Sequence, residues 1–84
     1  MKVYILTGEY QDYDDWSTNY SEVLGVYAKE EDAIISLKEH TKEEIETLNS
    51  EDYDIDSDYM TEIFSPVGGK TTYIIEEKEV IFNV

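Results

Sequence analysis

The segment from Glu30 to Asn49, EEDAIISLKEHTKEEIETLN, constrains the fold more than any other part of the chain. Ile34, Leu37, Thr41, Ile45 and Leu48 recur at spacings of three and four, which places them in one stripe along a helix. Glu30, Glu31 and Asp32 open the segment and complement the positive end of a helix dipole. Thr41 followed three residues later by Glu44 matches a capping box, so a break near His40 is expected. Asn49 and Ser50 are stop signals. A helix with one apolar stripe must lay it on a partner layer, and the remaining segments are of β type. Val3–Thr7 is a short β-branched run ending at Gly8. Glu22–Ala28 reads as a second strand, with Gly25 marking a bulge or a close backbone approach. Tyr59–Ser65 and Thr71–Ile75 flank the strong turn Pro66-Val67-Gly68-Gly69-Lys70 and predict a hairpin. Val80–Val84 either continues that hairpin or adds a short strand, and residues 9–20 read as a long loop with room for extended ends. The expectation is an α+β fold in a single domain, 1–84. A small antiparallel sheet of roughly three to five strands carries one main helix on one face, in the order β-β-α-β-β.

Charge narrows the function. The 84 residues hold 21 carboxylates against six positive side chains, all lysine, for a formal charge of −15. A net charge of about 2 to 8 suffices for solubility, and the excess opposes folding through self-repulsion. Without arginine there is no bidentate grip on phosphate, so direct nucleic-acid binding is not expected and a basic partner is. Disordered acidic tails are poor in aromatics, whereas 13% of this chain is aromatic and 40% hydrophobic, which predicts a folded protein. The absence of cysteine excludes disulfides, thiolate zinc sites and thiol nucleophiles. The apolar run at the N-terminus is too short for a signal-peptide core, and no stretch reaches the roughly 20 apolar residues of a membrane span. Anionic leaflets would repel such a surface. A cytoplasmic protein without a membrane partner is the expectation.

No catalytic constellation is expected. His40 stands alone on a polar helix without a Ser or Cys motif. Gly68-Gly69-Lys70-Thr71 lacks the earlier glycine and the strand-to-helix setting of a phosphate loop. No cofactor or metal is called for.

The acidic tract carries the functional expectation. No lysine lies between Lys42 and Lys70, and Glu43, Glu44, Glu46, Asp52, Asp54, Asp56 and Asp58 all fall inside that span. If residues 52–58 are extended, Asp52, Asp54, Asp56 and Asp58 form a row with roughly 6.6 Å between neighbours, while Tyr53 and Ile55 anchor it from the other face. Phosphates along a nucleic-acid strand are spaced similarly, at about 6 to 7 Å, and duplex DNA is densely charged. Asp12, Asp14 and Asp15 extend the acidic surface. Two other readings compete. In one, Tyr13 and Trp16 of the aromatic loop 10–20 carry a general protein contact. In the other, Asp52–Asp58 holds calcium weakly, although Ser57 and Ile63 occupy positions where an EF-hand loop requires Gly and Glu. The loop aromatics would also serve a homodimer, since so small a core gains from association.

Small size, absence of cysteine, an α+β pattern and a surface rich in Tyr and Asp together resemble the DNA-mimic inhibitors of bacteriophages and mobile elements. The resemblance lies in size, charge and texture and involves no aligned motif. It implies a non-enzymatic inhibitor of a basic host nucleic-acid-binding protein, such as a restriction enzyme, a CRISPR nuclease, an RNA polymerase or the nucleoid protein HU. The segment EVLGVYAKEEDAIISL is similar to a strand-then-helix unit of small bacterial and phage domains, which supports the fold.

Overall fold

The structure is a computed structural model that describes residues 1–12 and 19–81. Its elements are β1 (Lys2–Gln11), β2 (Tyr20–Tyr27), α1 (Glu30–Leu48), β3 (Asp52–Ser57), β4 (Met60–Phe64) and β5 (Lys70–Glu79). The strands form one sheet in the order β2-β1-β5-β4-β3, with every neighbouring pair antiparallel. The α+β expectation holds, with a β-β-α-β-β-β order because the acidic tract is itself a strand.

β1 and β5 are longer than their sequence signals. β1 runs on to Gln11 because its far end is paired: Tyr10 faces Tyr20 of β2, and their rings stack at 4.8 Å. Glu9–Gln11 and Tyr20 are thus the extended ends of the segment expected as a loop over 9–20, whose 13–18 part lies outside the described residues. β5 continues the predicted Thr71–Ile75 run to Glu79 by pairing with β1 along its whole length.

Register decides which side chains meet the helix. Leu6 lies opposite Gly25 on one side and Ile75 on the other, Tyr73 lies between Gly8 and Thr61, and Thr71 lies opposite Ile63. Residues opposite one another share a face, so these form the layer under α1. Leu6, Ala33, Leu37, Ile63, Tyr73 and Ile75 make the buried core, edged by Tyr4, Leu24, Tyr27, Ile34, Ile45 and Leu48. The register of β1 and β2 shifts beside Leu6, leaving Leu24 as the extra residue of a bulge next to Gly25. A Cβ at Gly25 would come within 2.7 Å of the Tyr27 ring, which its hydroxyl ties to Ser36 Oγ at 2.7 Å. The bulge thus falls beside Gly25, and what closes on the glycine is the Tyr27 ring, where a backbone approach is the alternative expectation.

The helix does not break. Thr41 is buried, and its Oγ1 donates to the Leu37 carbonyl at 2.8 Å. The hydroxyl is satisfied within the continuous helix and opens no second cap. Ala33 joins the predicted stripe in the core. At the C-terminal end Asn49 takes the left-handed conformation (φ 53°), and the Asn49 and Ser50 amides donate to the Glu46 and Ile45 carbonyls. That is a Schellman ending, and it turns the chain sharply into β3. The β4–β5 turn closes through Ser65 N–H to the Gly69 carbonyl at 3.0 Å.

Candidate functional site

β3 is an ordered strand at the edge of the sheet, and each of its six residues is exposed. Tyr53 and Ile55 supply β-forming side chains, and they pair with Ile63 and Thr61 of β4. Its entry is pinned by Ser50, which is buried behind the helix end. The Ser50 hydroxyl donates to the Phe64 carbonyl at 2.7 Å, lies 3.0 Å from the Asp52 carbonyl, and accepts from the Asp52 amide at 3.3 Å. One side chain thereby joins the end of α1, the start of β3 and the end of β4.

Asp52 lies opposite Phe64 and Asp54 opposite Glu62, on the sheet face away from the helix. The two residues form an outward pair whose backbone positions are about 6.6 Å apart along the strand. The expected four-member row stops there. A register shift between Ile55 and Ser57 puts Asp56 in a bulge, and Asp58 lies in the turn leading to β4. Alternation continues only while the pairing is unshifted, so Asp56 and Asp58 remain exposed but leave the row. Tyr53 and Ile55 do point to the opposite face, as expected of anchors, yet they stay 45% and 67% exposed. The reason is the reach of α1, which packs over β2, β1, β5 and β4 and stops short of β3.

The helix carboxylates divide. Glu43 and Glu46 are exposed. Glu44 instead turns onto the sheet, where Thr71 Oγ1 and the Tyr73 hydroxyl donate to its Oε2 at 3.1 and 3.3 Å. Sequence places it among the partner-facing acids; its carboxylate is instead engaged with the sheet, because Glu44 follows the buried Leu37 and Thr41 by seven and three residues and so shares their side of the helix. Burial, followed by the charge of Glu44, pushes the Tyr73 phenol well above its ordinary range. His40 rests against the Tyr73 ring at 5.7 Å. Asp12 is exposed at the end of β1, with its amide donating to Asn19 Oδ1 at 3.3 Å. Tyr13, Asp14, Asp15 and Trp16 lie outside the described residues.

The ion pairs sit elsewhere. Lys2–Glu77, Lys78–Glu76 and the N-terminal amine with Glu79 lie along β1 and β5, and Lys70–Glu62 bridges β5 and β4. Among the described residues, none involves Asp52, Asp54, Glu43 or Glu46. No group of three or more His, Asp or Glu is placed to hold a metal ion among them either. A calcium loop wraps oxygens around one point at 2.3–2.6 Å, and an extended strand spaces them along a line.

Between α1 and β3 runs a groove of about 440 Å³. Leu37, Thr41 and Ile45 form one wall, Tyr53 and Ile55 the other, with Thr61 between. Sequence reasoning missed this groove. Its signal is the Tyr53/Ile55 alternation, which faces the helix side of the sheet beyond the edge of the core.

No family model, curated protein or solved structure matches this chain. No helix among the described residues is long and apolar enough to cross a membrane.

Proposed function

We propose that the protein is a non-enzymatic inhibitor that occupies the cationic nucleic-acid-binding surface of a basic host protein by imitating a phosphate backbone. The observation that carries this reading is the outward Asp52/Asp54 pair on an exposed edge strand, which Ser50 and pairing with β4 hold extended, so that its backbone repeat of about 6.6 Å is close to the phosphate repeat. An edge strand protrudes from its sheet and can enter a groove. Among the described residues these carboxylates pair with no lysine, which leaves them to Lys and Arg of a partner. Glu43 and Glu46 extend the anionic surface along α1, and the −15 charge steers association, making it fast and strongly salt-dependent. The absence of arginine fits a chain that mimics nucleic acid and does not hold it. The cytoplasm of the host is where such a target would be met.

The test is capture of binding proteins from a bacterial lysate on the immobilised chain, followed by elution with duplex DNA. Release of nucleic-acid-binding proteins by DNA is the expected result. Partners that remain bound at saturating DNA would sink the reading.

A further inference from the structure

The groove between α1 and β3 is apolar on both walls, yet it lies in the most acidic part of the chain. Its two walls match in length. Leu37 to Ile45 spans about 12 Å of helix, and Tyr53 to Ser57 spans about 13 Å of strand. That length accommodates roughly two turns of a guest helix, or apolar side chains at positions i, i+4 and i+7.

Charge selects the guest. Glu46 and Asp58 line the groove, and Asp56 bulges from the strand beside it. Lys38 and Lys42 line the helix side, and neither has an ion pair among the described residues. Along the helix side the two lysines are balanced by Glu46, whereas Asp56 and Asp58 on the β3 side stand with no lysine between them, so the lysine-rich side of a cationic guest is drawn across β3. A second copy of this chain would bring a second charge of −15 to the same surface.

We infer that this groove docks a cationic amphipathic helix of the partner, with its apolar face seated on Tyr53, Ile55 and Ile45 and its Lys or Arg side chains reaching over β3 to Asp56 and Asp58. The inference rests on the phosphate-mimic reading and adds to it a feature of the partner: an apolar stripe beside the cationic surface. Apolar contact supplies what electrostatic mimicry lacks, namely affinity that persists when salt screens the charges.

The experiment uses the whole chain and two defined probes at 0.5 M NaCl. One is an amphipathic helical peptide of about 14 residues, built from Leu and Lys at helical spacing. The other replaces each Leu with Ser and keeps the same charge. The Leu/Lys peptide is expected to bind at least tenfold more tightly. In a Tyr53→Ser/Ile55→Ser variant, whose substitutions fall at exposed positions, the preference should drop below threefold while the thermal melt remains cooperative. Equal binding of the two peptides, or an undiminished preference in the variant, overturns the groove assignment. Neither result touches the mimic reading, whose own test is elution by DNA. A wild-type chain that sediments as a dimer and becomes monomeric in the variant also overturns it, with a second copy as the occupant.

Discussion

Replacing Ser50 with alanine isolates what holds the acidic strand in place. The residue is buried, donates to the Phe64 carbonyl at 2.7 Å and accepts from the Asp52 amide at 3.3 Å. The Schellman ending beside it uses backbone groups only, so Ser50→Ala leaves the helix intact and removes the clamp. Each hydrogen bond contributes about 1 kcal/mol net, and more where the abandoned partner stays buried. Two bonds put the loss at about 1–3 kcal/mol. For a domain of this size, each kcal/mol lowers the melting temperature by roughly 4–8 °C. With a urea m-value of about 1–2 kcal/mol/M, the midpoint should fall by about 1 M. The loss should also be local. β3 touches the rest of the fold mainly through β4, so hydrogen exchange in β3 should accelerate more than in β1, which is paired on both sides. Binding through Asp52 and Asp54 should weaken with the strand's order. A midpoint within 0.2 M of wild type, with β3 protection unchanged, would refute the clamp.

Other consequences follow from charge and packing. Asp54 faces Glu62 directly across the β3–β4 pair, and like charges so placed repel. Asp54→Asn should therefore raise the melting temperature at about 10 mM salt, with the gain fading towards 1 M as screening shortens to about 3 Å; an equal gain at both salt levels would count against it. Wild type should itself melt higher as salt is added at neutral pH, since −15 is partly self-repulsion. Burial, helped by the hydrogen bond to Glu30, pushes the Tyr59 phenol up to about 12, and burial beside Glu44 raises Tyr73 further. A group whose folded pKa is raised stabilises below its unfolded value and loses that contribution as pH rises. Stability should thus hold up to about pH 10, the unfolded phenol value, and decline above it, as ultraviolet tyrosine titration and circular dichroism together would show. Ile63 is fully buried where β3, β4 and β5 meet the helix layer, so Ile63→Ala should cost about 2–5 kcal/mol in a urea melt.

Much of the architecture was legible because periodicity reports burial directly. The stripe from Ile34 to Leu48 and the Gly68-Gly69 turn both sit where the pattern puts them. What the pattern could not reveal depended on partners distant in sequence. Gln11 and Tyr20 are strand residues because each is paired across the sheet, and no local propensity announces that. The Thr41–Glu44 capping box was a true local match overruled by packing, since burying Thr41 and hydrogen-bonding Glu44 to Tyr73 serves the core better than a cap. At the site, alternation correctly placed Asp52 and Asp54 on one face. It failed at Asp56 because a bulge changes parity without changing composition. The groove depended on how far α1 reaches across the sheet, a tertiary quantity.

The central claim is that arrangement, and not net charge, carries the function. It is tested by comparing two variants of equal charge against the proteins that the chain captures from lysate. Asp52→Asn/Asp54→Asn removes the outward pair on β3. Glu76→Gln/Glu79→Gln removes two carboxylates from the end of β5 that runs past β4. The account predicts that the first variant loses most of the DNA-elutable binding while the second keeps it. Equal loss in both variants, or none in either, would contradict it.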